Sequence, residues 1–133
     1  MEKETNEVRK NRRKQTGEVF TPNDTVRYML NRLPKDVFTK NKMFLDNSAG
    51  NGNFILTIIE MKVEHGVSVE DAIRTTFGTE LMEDNVIEMK ERIMLLAKEL
   101  CPECNLECIK QIVDHNIVCT DAFAWDYKHW RKK

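Results

Sequence analysis

Three short apolar runs, each followed by an acidic residue and separated from the next by a helical pattern, set the strongest limit on how this chain folds. The runs are Met43-Phe44-Leu45 before Asp46, Thr75-Thr76-Phe77-Gly78-Thr79 before Glu80, and Ile117-Val118-Cys119 before Asp121. Between the first two, Phe54, Ile55, Ile58, Ile59 and Val63 recur at helical spacing, and Ser68 with Asp71 forms a capping pair for a short second helix. Between the second and third, a longer helix carries Glu83 and Asp84 at its positive end, Lys98 near its negative end, and Val86, Ile87, Met89, Ile93, Met94, Leu96, Ala97 and Leu100 along its apolar side. A further amphipathic stretch, Leu106, Ile109, Ile112 and Val113, precedes the last run. Strands alternating with helices predict an α/β fold with about three parallel strands and flanking helices in three layers, because each connection is long enough to return the chain over the sheet.

With 133 residues, 41% of them hydrophobic and 32% charged, the chain has material for one small domain and not for two catalytic ones. Thr21-Pro22-Asn23-Asp24 predicts a helix start with Thr21 as cap and Pro22 in the first turn, followed by Val26, Met29, Leu30 and Leu33 on one face. The net charge of -1 argues against a dedicated nucleic-acid binder with a dense positive field. Charge is nevertheless concentrated at the start, where Lys3, Arg9, Lys10, Arg12, Arg13 and Lys14 make residues 1–15 a basic, mobile arm suited to a solvated tail or to phosphate contact. No apolar stretch approaches the roughly 20 residues that span a bilayer, and the charged start is unlike a secretion signal, so the expectation is a cytoplasmic protein with no membrane partner.

In open parallel sheets, polar ligands sit beyond the carboxyl ends of the strands. Here those ends carry Asp46 with the bend Asn47-Ser48-Ala49-Gly50-Asn51-Gly52, then Glu80, then Asp121. Gly50 and Gly52 permit close backbone approach to a ligand, and the carboxylates can accept from hydroxyl or amino groups. Taken singly, the same residues are equally ordinary as a tight turn and as helix caps.

The ordered set resembles the N6-adenine DNA methyltransferases that use S-adenosylmethionine. Thr16-Gly17-Glu18-Val19-Phe20-Thr21-Pro22 is similar to that family's segment before its first helix. Phe44-Leu45-Asp46-Asn47-Ser48-Ala49-Gly50-Asn51-Gly52-Asn53-Phe54 is similar to its cofactor loop, with Asn47, Ser48 and Ala49 in place of the usual Pro, Ala and Cys. Phe77-Gly78-Thr79-Glu80 and Asn116-Ile117-Val118-Cys119-Thr120-Asp121-Ala122-Phe123 are similar to the next two cofactor-strand motifs. The resemblance implies a truncated Rossmann-like methyltransferase fold over residues 16–133. It implies that Thr21 and Asp46 address the methionine moiety, Glu80 the ribose hydroxyls and Asp121 the adenine amino group. Phe123 is then a wall for adenine, and Ser48, Gly50, Gly52, Leu81 and Ala122 complete the cofactor contacts.

The family's Asp/Asn-Pro-Pro-Tyr/Phe acceptor motif does not occur in this sequence, which stops about where the fourth strand is expected. The resemblance therefore implies a cofactor-binding domain that contributes to adenine methylation together with another chain, either a second copy or a complementary methyltransferase chain. DNA would be reached through that assembly or the basic arm. A catalytically inactive cofactor-binding regulator and a non-enzymatic interaction module are the rival readings. With the usual strand order, the first strand's outer edge is bare and open to a partner.

Cys101, Cys104, Cys108 and Cys119 admit a four-thiolate zinc site, although the spacing is not a regular pair of Cys-x-x-Cys motifs, and unmetallated thiols are the preferred reading. Met82, Met89 and Met94 read as packing residues, and Phe123, Trp125, Tyr127 and Trp130 as a terminal core, a partner surface or an adenine wall.

Overall fold

Residues 21–133 are described by a computed structural model; the basic arm and the stretch Thr16–Phe20 lie outside the described residues. Helix α1 spans Asn23–Leu30 and buries Val26 and Leu30. Its cap position is occupied by Pro22, with no side-chain cap bond, so the cap expected at Thr21 falls one residue later. A single 3-10 turn, Lys35–Val37, leads toward strand β1, Phe44–Asp46. Helix α2, Asn53–Glu64, follows the glycine bend, and α3, Val69–Arg74, begins at Ser68, whose hydroxyl accepts from the Asp71 N–H. Strand β2, Thr76–Glu80, includes its acidic end, and α4, Glu83–Leu100, is the longest helix. Helix α5, Leu106–Asn116, is capped by the Asn105 side chain, which accepts from the N–H groups of Glu107 and Cys108; β3, Ile117–Cys119, follows directly.

The three strands form one parallel sheet in the order β1-β2-β3, with Asp46 opposite Gly78 and Glu80 opposite Cys119. Since residues in register share a face, Phe44, Thr76, Gly78 and Ile117 look one way and Leu45, Phe77, Thr79 and Val118 the other. The first face meets the helices. Ile55, Ile59, Ala72, Ile73, Met89, Ile93, Ile109, Val113 and Ile117 form one buried cluster drawn from α2 to α5 and the sheet. A second cluster joins Val26 and Leu30 of α1 to Phe38, Ile58 and Met61, with Phe38 stacked on Phe44 at 5.7 Å.

The other face is covered by the C-terminal segment rather than by helices, so the described residues make two helix-sheet layers and an aromatic cover in place of the expected three. Strands β4, Trp125–Asp126, and β5, Arg131–Lys132, form an antiparallel ribbon. From it Trp130 packs edge-on against Phe77 at 4.9 Å and against Trp125 at 5.4 Å, while the Tyr127 hydroxyl lies 3.3 Å from the Thr79 hydroxyl. Trp130 also donates from Nε1 to the His115 carbonyl at 2.7 Å. Of the three readings for the aromatic cluster, Trp125, Tyr127 and Trp130 are terminal core, whereas Phe123 stays out of it. Among the described residues strand β1 pairs only with β2, so no described strand lies on its outer edge. No described helix is long and apolar enough to cross a membrane.

Candidate functional site

The bend after β1 is built from backbone bonds that only a particular pair of residues permits. Gly50 and Gly52 have φ of 57° and 95°, a region in which a side chain is strained, and Gly52 serves as the cap of α2. The Gly52 N–H returns to the Ala49 carbonyl at 2.9 Å, and the Ala49 N–H donates to Thr79 O at 3.0 Å, stitching the bend to β2. A Cβ on Gly52 would stand 2.6 Å from Met89 Cγ on α4. The closeness expected between glycine and a ligand is therefore taken up at Gly52 by a core methionine.

Asp46 ends β1 half-buried, its Oδ1 accepting from the Ser48 N–H at 3.0 Å. Burial raises its pKa above the ordinary carboxyl value, outweighing the opposing effect of the Ser48 bond. Glu80 ends β2 with only 8% of its surface exposed. Its Oε1 accepts from the Gly50 N–H at 2.9 Å, and its Oε2 from the Met82 N–H at 2.8 Å and from Asn85 Nδ2 at 3.4 Å. The side chain thus clamps the glycine bend to the start of α4. A ligand hydroxyl that reaches Glu80 must share the carboxylate with these donors or displace one.

One strand further on, the Thr120 N–H donates to Glu80 O at 3.0 Å, and exposed Asp121 accepts from the Phe123 N–H at 2.8 Å, capping the 3-10 turn Ala122–Ala124. Tyr127 braces this turn by donating its hydroxyl proton to Ala122 O at 2.8 Å. Phe123 is 87% exposed and Leu81 is 65% exposed, leaving two large apolar side chains uncovered on the segments that leave β3 and β2. Cys119 points its Sγ toward Leu81 O at 3.5 Å; burial, followed by the charges of Glu83 and Glu80, pushes its pKa up, which disfavours the nucleophilic thiolate.

The sheet accordingly gathers Asp46, the glycine bend, Glu80, Leu81, Asp121, Ala122 and Phe123 at the carboxyl ends of its strands. Glu80 and Gly50 are in direct contact, whereas Asp46 and Asp121 each bond to the backbone of their own turn. Thr21 joins the group through its carbonyl, which accepts from Asn53 Nδ2 at 2.6 Å. Two residues of the site were not among those assigned a role from the sequence. Asn53 opens α2 beside the bend, and Arg92 of α4 donates from Nη1 to Asn51 O at 3.0 Å and to Asn53 Oδ1 at 2.8 Å. An asparagine following a glycine bend is the available cue for the first; nothing in the spacing marks the second.

The cysteines are placed otherwise than a zinc centre requires. Cys101, at the end of α4, is bonded to Cys104 in a disulfide, and Cys108 and Cys119 are free and exposed. A disulfide consumes the two thiolates that would have been half of the ligand set. Among the described residues, no group of three His, Cys, Asp or Glu side chains is positioned to hold a metal ion. The preference for unmetallated thiols is corrected at Cys101 and Cys104, which are joined as a disulfide. Comparison with protein family models, with curated proteins and with solved structures finds no match.

Proposed function

We propose that the carboxyl ends of β1, β2 and β3 bind S-adenosylmethionine, and that the chain is the cofactor-binding part of an assembly that methylates adenine N6 in DNA. The observation that carries this reading is the Glu80 carboxylate held against Gly50. It places the acidic end of one strand on the glycine bend of its neighbour, with Asp121 beyond the third strand. Exposed Leu81 and Phe123 suit the two faces of an adenine ring, since each offers apolar area that no described residue covers. The ordered sequence resemblance supports assigning Glu80 to the ribose and Asp121 to the adenine amine.

Bound there, S-adenosylmethionine would supply an electrophilic methyl group on a positively charged sulfur, with the neutral thioether as leaving group and the acceptor amine's proton released to solvent. Asp46, Glu80 and Asp121 position the cofactor and do not act as nucleophiles. Alignment of the amine is assigned to a partner chain, because the Pro-Pro acceptor motif is not present here and such alignment contributes much of the rate. The outer edge of β1 is the surface on which that partner would pair.

Calorimetric titration of the reduced and the oxidised chain with S-adenosylmethionine tests the reading. A saturable one-site isotherm, weakened at least tenfold by Glu80→Ala through loss of charge-assisted hydrogen bonds, is expected. Absence of binding in the wild type overturns it in favour of an interaction module, the reading that the internal hydrogen bonding of Glu80 and Asp121 itself favours. Because the acceptor motif is assigned to a partner chain, the isolated chain is expected to bind without methyl transfer to unmodified duplex DNA, and transfer by the isolated chain contradicts that assignment.

A further inference from the structure

Helix α4 braces the glycine bend and its Glu80 clamp at three places. Asn85 reaches Glu80, Met89 lies under Gly52, and Arg92 holds Asn51 and Asn53. The last contact extends beyond the bend. Asn53 accepts from Arg92 through Oδ1 and donates through Nδ2 to the Thr21 carbonyl, so one amide joins α4, the start of α2 and the chain entering α1. Both ends of that amide are occupied in complementary fashion, which fixes its orientation and leaves Nδ2 aimed at Thr21. The other polar link between α1 and α2 is Arg27 with Glu60 and Glu64, an exposed ion pair at 3.2 and 2.9 Å. That link docks the helices without touching the bend.

Sheet order gives this relay a direction. Thr21 and Asn53 stand at the bend that leaves β1, while Phe123 and Asp121 leave β3, with Glu80 between them. A ligand lying across the strand ends therefore has one end near Thr21 and its other end near Phe123. We propose that Arg92 and Asn53 are positioning residues that set the spacing between Thr21 and the glycine bend, and so tune affinity for the amino-acid end of the ligand while leaving its nucleoside end alone. The inference rests on the adenosine-ligand reading above.

Three probes separate the two ends: S-adenosylmethionine, S-adenosylhomocysteine and 5′-methylthioadenosine, the last lacking the amino-acid end. In calorimetry on the full chain, Asn53→Ala is expected to weaken the first two by about tenfold, through loss of the Asn53 bond that holds the Thr21 carbonyl, and to leave the third within twofold. Asn53→Asp keeps the acceptor for Arg92 and loses the donor to Thr21, so it should reproduce the selective loss. Arg92→Gln carries the same expectation and serves if an Asn53 variant does not fold. Arg27→Met, which removes only the exposed ion pair, should leave all three affinities unchanged. Equal losses on all probes, or none on any, overturn the positioning role. A wild-type chain that binds no probe instead overturns the ligand reading, and this role with it.

Discussion

Lys62 gives the sharpest quantitative test of the fold that holds the site in place. Its side chain is 0% exposed on the inner face of α2, where Nζ donates to Lys42 O at 2.7 Å and to the Thr75 hydroxyl at 2.6 Å and lies 5.0 Å from the centre of the Phe44 ring. Among the described residues no carboxylate is paired with it, and burial lowers its pKa from 10.5 to about 8. Both folded and unfolded chains hold the proton below pH 8. Between about pH 8 and 10.5 the native state releases it while the unfolded chain retains it, so the unfolded state binds more protons and stability rises with pH through that window. The gap from 10.5 to about 8 corresponds to about 3 kcal/mol. That is a large share of the roughly 5–15 kcal/mol available to a small domain.

Replacing Lys62 by Met keeps the length and removes the charge. Thr75 retains its hydroxyl bond to Asp71 O at 2.8 Å, whereas Lys42 O loses this donor. Urea unfolding of both proteins between pH 7 and 10.5 isolates the effect, because other titrating groups cancel in the difference. The wild type should gain on Lys62→Met by about 3 kcal/mol across the interval. A difference that stays flat, or one that moves the other way, refutes the account of an unpaired buried ammonium between α2 and the strand starts.

Two further outcomes follow from the same geometry. Gly52→Ala combines a left-handed φ of 95° with a 2.6 Å clash on Met89 Cγ, so thermal unfolding should show a loss of about 2 kcal/mol or more; an unchanged midpoint contradicts the packing of α4 under the bend. The Cys101–Cys104 bond closes a loop of three residues' separation, so Cys101→Ser/Cys104→Ser should cost about 2 kcal/mol under oxidising conditions. Alkylation of the denatured chain should find two free thiols before reduction and four after it, and four in both cases rules out the disulfide.

The sequence carried the strand–helix alternation because each element has its own period and its own punctuation. Ile117-Val118-Cys119, the Ser68 cap and the long helix after Glu80 stand where those signals place them. The end of α1 near Thr21 shifted by one residue, since Pro22 can occupy the cap as readily as the first turn. Two-residue strands such as Trp125–Asp126 have no periodicity to detect, and the aromatic cover over Phe77 depends on a tertiary fold-back. Lys62 was legible in retrospect. It falls on the stripe of Ile55, Ile58 and Ile59, where a lysine breaks an otherwise apolar face.

At the site, residue type and strand position identified which acids share one end of the sheet. They did not reveal that Glu80 is engaged by Gly50 and Met82, because a carboxylate's partners are set by loop geometry rather than by spacing. Arg92 with Asn53 is a contact across 39 positions, and the cysteine pairing likewise depended on a turn whose shape composition leaves open.

The central claim is that an adenosine ligand occupies the strand ends around the Glu80–Gly50 clamp. Amide chemical shifts followed during addition of S-adenosylmethionine to the isotopically labelled chain test it residue by residue. Saturable shifts concentrated at Gly50, Leu81, Met82 and Asp121–Phe123 are predicted; a spectrum that does not change there, whether or not it changes elsewhere, contradicts the claim.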